Sequence, residues 1–228
     1  MNAAPNFDGL ARIYRWLEFA TFGPALWRCR CSFLEEVRDC RRALVLGDGD
    51  GRFTARLLET NPDVRIDAVD ASPAMLRALV KQAGTNSDRV CTCCADVREH
   101  QFTGTTYDLV VTHFFLDCLT TGEVAALVRQ LKGCLSPHAY WLISEFAVPQ
   151  GMFGVMIARP LVSALYWMFR GLTGLRVSSL PQYKQTLGEI GFKYKQNKSF
   201  LDGLLAAELW SAESISCYNH VKIASQRD

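Results

Sequence analysis

Apolar positions along this chain gather into short runs, and between the runs they recur at the three- and four-residue spacing of a helix that buries one face. The runs at 43–46, 64–69, 90–95, 109–112 and 140–144 predict strands, while the periodic stretches near 52–59, 73–83, 122–134 and 153–169 predict helices. Strands alternating with helices of this length make parallel βαβ units, and all-apolar runs suit strands covered on both faces. The end of the chain reads differently. After a helix over 181–191, closed by Gly191, two extended runs at 192–200 and 204–210 are joined only by Leu201, Asp202 and Gly203, which predicts an antiparallel hairpin. The expected fold is α/β, a doubly wound, mostly parallel seven-stranded sheet with an antiparallel C-terminal hairpin, preceded by a helical region over 7–38.

Composition narrows what such a fold does. With 228 residues, 49% of them apolar, the chain supports one substantial core, and neither a repeat nor a linker divides it. A single domain over 1–228 is expected, with 1–40 as a helical lid and 150–176 as a helical insertion near a substrate pocket. The net charge of +2, with Lys and Arg scattered, lacks the basic field that nucleic acid binding needs, so a small molecule is the expected partner. Nine cysteines and an opening MNAAPNFDG without a charged start and apolar signal core predict a reduced, cytoplasmic setting. Cys29 and Cys31 lack C-x-x-C spacing, and Cys91, Cys93 and Cys94 crowd a single strand-like run, so structural thiols are expected and no metal site. The apolar stretch over 152–175 is broken by Arg159, Pro160 and Arg170, too often for a membrane span. A helix packed on the sheet is the first reading there, with contact to a lipid surface or a lipophilic substrate as the alternative.

Candidate chemistry lies just after each strand, where ligands sit in a doubly wound sheet. The first strand ends in ALVLGDGDG. Gly47, Gly49 and Gly51 can take positive φ without a side chain in the way, and the turn opens a helix whose first N–H groups are unpaired, as a nucleotide-type ligand requires. After the second strand comes Asp70, nineteen positions beyond Gly51, placed to accept hydrogen bonds from both hydroxyls of a ribose. Its competing role as helix cap is better filled by Ser72 before Pro73. Asp96 after the third strand suits an adenine amine, although an acid there is also a common turn former. After the fourth strand, His113, Phe114, Phe115 and Asp117 stand where a reactive group would meet its acceptor. His113 suits proton transfer near neutral pH or a structural hydrogen bond, and the two phenylalanines a pocket wall or core.

Taken together, ALVLGDGDG, IDAVDASPAML, CCADV, YDLVVTHFFLD and LKGCLSPHAYWLISEF resemble the successive motifs of class I methyltransferases that use S-adenosylmethionine, a Rossmann-like family. The start FDGLARIYRWLE looks like the helical lid of the small-molecule enzymes similar to ubiquinone and menaquinone C-methyltransferases. The resemblance implies S-adenosylmethionine as cofactor and a small methyl acceptor. Gly47 and Gly49 would pass the methionine portion, Asp70 followed by Ala71 would hold the ribose, Met75 would pack near the adenine, and Asp96 with Val97 would read its edge. Tyr14 of the lid would approach the cofactor, as would His113. The family commonly carries an acid two residues before the first glycine, where this chain has Val45, and Asp48 with Asp50 supplies negative charge from within the loop instead.

The implied reaction is in-line displacement of a methyl group, with His113 as first candidate for a base and Asp117 behind it. Trp16, Phe19, Phe22, Tyr166 and Trp167 suggest an apolar or aromatic acceptor, unless they only bury one another. Two other readings stay open. A nicotinamide-dependent oxidoreductase would need glycine at position 52, which is Arg52, and a non-catalytic module of the same shape is favoured only by Val45. Oligomeric state is not legible.

Overall fold

The computed structural model describes residues 22–147, 149 and 181–212. The strands are β1 (Arg42–Leu46), β2 (Arg65–Asp70), β3 (Val90–Cys94), β4 (Tyr107–His113), β5 (Leu135–Phe146), β6 (Phe192–Phe200) and β7 (Leu205–Ala212). They form one seven-stranded sheet in the order β3-β2-β1-β4-β5-β7-β6. β1 to β5 pair in parallel, and β7 runs antiparallel between β5 and β6. The helices are α1 (Ala25–Arg30), α2 (Arg52–Thr60), α3 (Pro73–Ala83), α4 (Thr121–Lys132) and α5 (Tyr183–Glu189).

Alternation along the strands builds two apolar layers. Ala43, Val45, Leu109, Val111, Leu142 and Leu209 face Leu26 of α1, Phe53 and Leu57 of α2 and Leu79 of α3. The intervening Leu44, Leu46, Val110, Trp141, Ile143 and Trp210 pack on the other side against Val124, Leu127, Val128 and Leu131 of α4 and Leu187 of α5. Full burial of each such Leu, Val or Ile contributes roughly 1.5–3 kcal/mol, so the central strands are the rigid part on which any site is mounted.

Helix starts are specified at the carboxyl edge of this sheet. Ser72 Oγ accepts from Met75 N–H at 3.3 Å with Pro73 in the first helical position. Thr120 and Glu123 form a reciprocal capping box on α4.

Several bounds depart from the sequence pattern, each for a tertiary reason. β5 begins at Leu135, paired with Tyr107, and passes through Pro137 and His138 (φ 67°) at an irregularity in the β4–β5 register. Proline is tolerated at such a bulge because no ladder donor is required of it. β4 extends to His113, which pairs with Ser144. β3 is the edge strand and largely exposed, so its run is not covered on both faces as expected. In the described part of the region expected to be helical over 7–38, helix occurs at Ala25–Arg30 and turns follow over 31–39. The helix expected at 153–169 and most of the lid lie outside the described residues. No helix among the described residues is long and apolar enough to cross a membrane.

Candidate active site

The strand order reverses between β1 and β4, so the crevice at their carboxyl ends is where a doubly wound sheet binds its ligand. The loops meeting there are the glycine turn after β1 and the segment after β4. Gly47 N–H donates to Val69 C=O at 3.0 Å, which continues the β1–β2 ladder into the turn.

The three glycines of this turn do three different jobs. All have positive φ: 65° at Gly47, 64° at Gly49 and 81° at Gly51. A Cβ on Gly51 would strike Leu79, its Cβ at 2.6 Å, so this glycine serves the close packing of the turn on α3. A Cβ on Gly47 would strike the Phe115 ring. Only at Gly49 does the space beyond the backbone hold nothing within 4 Å, which makes it the open point of the turn.

Asp48 is buried, and its Oδ2 accepts from Thr54 N–H at 2.8 Å, satisfying one of the first donors of α2. The helix start therefore keeps fewer free donors for a ligand than the sequence suggests. Burial pushes the Asp48 carboxyl up to about 6, while the hydrogen bonds from Thr54 and the positive charge of Arg30 act in the opposite direction. Asp50 forms an ion pair with Arg52 at 3.0 Å, so its charge is met locally.

Along the edge, the end of β2 brings Asp70 beside Cys94 of β3. Asp70 Oδ1 accepts from Ser72 N–H at 2.8 Å, and Ser72 caps the helix, leaving Asp70 free of the capping role. Ala71 is half-buried next to it, and Met75 is buried in the first turn of α3. Asp96 stands after β3, gripped by Arg98, whose Nε donates to Oδ1 at 2.9 Å and to Oδ2 at 3.0 Å. That grip holds the Asp96 carboxyl below the usual range. Arg98 also reaches Glu123 of α4 at 3.6 Å. Val97 is buried in the apolar layer under α4, which leaves its backbone as the part able to meet a base.

At the end of β4, His113 is 3% exposed. Nδ1 is 2.8 Å from Ser144 Oγ and the ring stands edge-on to Phe53 with centroids 4.3 Å apart. Burial, aided by the Arg30 charge, drives the imidazole well below its ordinary value, so it is neutral at pH 7. Phe114 holds a left-handed φ of 53° and packs tilted against Phe146, with ring centroids 5.0 Å apart, and Phe146 meets Phe22 at 5.3 Å. The Arg30 guanidinium lies 5.4 Å over the Phe114 ring. An aromatic wall with a buried cation thus stands beyond the ends of β4 and β5.

Asp117 lies in a single 3-10 turn, Leu116–Cys118, next to Glu145 at the end of β5. Burial pushes Asp117 up to about 6, and burial together with the Asp117 charge holds Glu145 well above the carboxylate range. Two carboxyls enclosed together resist double ionisation.

Asp48 Oδ1, His113 Nε2 and Glu145 Oε2 are buried and have no hydrogen-bond partner among the described residues. They belong to the ends of β1, β4 and β5, at one edge of the sheet. An unsatisfied buried polar atom costs about 1–3 kcal/mol, so these three, out of six such atoms among the described residues, make this edge a candidate place for a polar ligand. Tyr14, Trp16, Phe19, Tyr166 and Trp167 lie outside the described residues. Glu145, Arg30 and Phe115's contact with Gly47 were not marked out by sequence reasoning, because each takes its place through partners distant in the chain. Among the described residues no three His, Cys, Asp or Glu side chains gather to hold a metal ion.

Residues 44–140 match the family model of the methyltransferase domain. No curated protein matches the chain. Among solved structures it is similar to an O-methyltransferase family protein from Burkholderia thailandensis, with TM-score 0.69 and 17% identity over 90% of this chain and 60% of that one. A putative O-methyltransferase from Nostoc punctiforme gives TM-score 0.70 and 18% identity over 92% of this chain and 63% of that one. N-methyltransferase NodS from Bradyrhizobium japonicum, solved with S-adenosyl-L-homocysteine, gives TM-score 0.57 and 14% identity over 82% and 83%. The chain spans about 60% of the length of the first two.

Proposed function

Because residues 44–140 form a methyltransferase domain on the class I sheet, we propose that the chain binds S-adenosylmethionine at the β1–β4 crevice and methylates a small, apolar or aromatic molecule. The observation that carries this reading is the row formed by open Gly49, Asp70 and Asp96 along one sheet edge, with the unpartnered atoms of Asp48, His113 and Glu145 beside it. The glycine turn and the acids fit an adenosyl amino acid. Asp70 would hold the ribose hydroxyls, Ala71 and Met75 would border the base, and Asp96 with the Val97 backbone would meet its edge. Arg98 keeps Asp96 ionised and oriented for that contact.

When bound, the cofactor supplies a methyl group already activated by its sulfonium. The remaining work of this chain is alignment of the acceptor and exclusion of water, which can supply about 7–11 kcal/mol of the barrier. Phe22, Phe114 and Phe146 give the acceptor an apolar wall. Where the acceptor carries a proton on its nucleophilic atom, neutral His113 takes it at Nε2, with Asp117 as the second candidate. A single domain over 1–228, with the segments 1–40, including Tyr14, and 150–176 serving the acceptor, is part of this proposal.

Transfer of label from methyl-labelled S-adenosylmethionine to a panel of quinols, phenols and amines tests the reading. Label in one of these classes supports it. Cofactor binding with no transfer to any of them would favour the non-catalytic module.

A further inference from the structure

Glu145 is a buried acid of which the site reading uses only the unpartnered Oε2, while Oε1 is turned to the protein's own backbone. It is 1% exposed at the end of β5, thirty residues from the segment it touches. Its Oε1 accepts from Phe115 N–H at 3.1 Å and from Leu116 N–H at 2.8 Å. Phe114 N–H is taken by Ser144 C=O at 2.6 Å, so three successive donors after β4 are drawn to the end of β5. This gathering fixes a turn that the left-handed Phe114 would otherwise strain open. Its product is the position of Phe115, whose ring fills the space beside Gly47.

We infer that Glu145 is a positioning residue for the cofactor site, holding the Phe115 ring against Gly47 and thereby setting the shape of the glycine turn. The inference rests on the site reading given above. Its chemistry is hydrogen-bond acceptance: any side chain with an acceptor oxygen at the Oε1 position should serve, whether or not it carries charge. A proton-transfer role makes the opposite demand, since an amide cannot exchange the proton.

The test measures S-adenosylhomocysteine affinity by calorimetry, with the thermal midpoint followed in parallel. Glu145→Gln should bind within about threefold of the parent, whereas Glu145→Ala and Phe115→Ala should each bind roughly tenfold more weakly, a loss of ~1.4 kcal/mol. The double variant should be no weaker than the weaker single one, because both remove the same contact. Additive losses, an undiminished Glu145→Ala, or a Glu145→Gln as weak as alanine would each overturn the inference. If the alanine variant melts below the assay temperature, Glu145→Met removes both acceptors while keeping the volume and takes its place in the cycle. Absence of binding by the parent chain would instead overturn the site reading.

Discussion

The Phe115 ring occupies the volume that a Cβ on Gly47 would fill. The first glycine of the turn is therefore required by a protein side chain from the loop after β4, and the opening toward a ligand lies two residues later.

Alanine substitution along the turn should separate these roles. Gly49→Ala meets open space and should lose only the cost of a left-handed residue, about 1–2 kcal/mol. Gly47→Ala and Gly51→Ala add collisions with Phe115 and Leu79, and overpacking of this kind costs typically a further ~1–3 kcal/mol. Gly51→Ala should be the worst, since it meets backbone as well as side chain. Denaturant melts of the three variants give the order, and a Gly49→Ala as unstable as Gly51→Ala would contradict it.

Asp70 and Ser72 sit two residues apart but should report on different properties. Ser72→Ala removes the cap on Met75 N–H and should lower stability by about 1 kcal/mol with ligand affinity unchanged. Asp70→Asn keeps an acceptor for Ser72 N–H yet removes the charge on which the proposed ribose contact rests, and should cost about 1.5–3 kcal/mol in adenosyl ligand binding. Paired melting and titration of both variants checks the separation. Equal effects on both properties would mean that Asp70 is only a turn former.

The buried acid of the glycine turn predicts a pH signature. Asp48 has a folded-state value of about 6 against an ordinary 3.8, so the folded protein binds the extra proton between them. The stabilisation is complete below pH 3.8 and lost as pH rises through about 6. Asp48→Asn can still accept from Thr54 N–H and carries no charge. Its melting temperature should therefore rise relative to the parent between pH 4 and 7, by the equivalent of up to about 3 kcal/mol. A constant difference across that range would show that Asp48 is not burdened by burial.

His113 should behave in the opposite sense. Burial depresses its value below 6.5, so the neutral imidazole's contribution is present above 6.5 and lost as pH falls toward the folded-state value. His113→Gln should thus lose less stability than the parent on acidification below 6.5. If His113 is the base, the same variant should also lower turnover about 10²–10⁴-fold while cofactor affinity stays close to the parent's. Turnover within a few-fold would remove the base role and leave the histidine as Ser144's hydrogen-bond partner.

Much of the scaffold was legible because its information is local. Alternating apolar runs, the glycines after β1 and the short link at Leu201, Asp202 and Gly203, to which the structure adds Leu204, specify strands, turn and hairpin within a few neighbours. The caps at Ser72 and Thr120 are equally local, although only the first was read. What escaped the sequence depends on distant pairing. β5 runs through Pro137 because β4 supplies it with partners from Tyr107 onward. Glu145 reads as an ordinary acid after a strand, and its role appears only when the Phe115–Leu116 backbone is brought to it. Arg30 looks like one of several scattered cations in WRCRC. Its burial follows from α1 docking on the sheet, where Ser144 Oγ donates to Cys29 C=O at 3.5 Å.

The central claim is that the β1–β4 crevice is an adenosyl site, and calorimetric titration of the full chain with S-adenosylhomocysteine tests it most directly. Saturable one-site binding, weakened by about 1.5–3 kcal/mol in Asp70→Asn and absent with NADH, is the predicted result. No heat with S-adenosylhomocysteine or S-adenosylmethionine from a folded chain would contradict it.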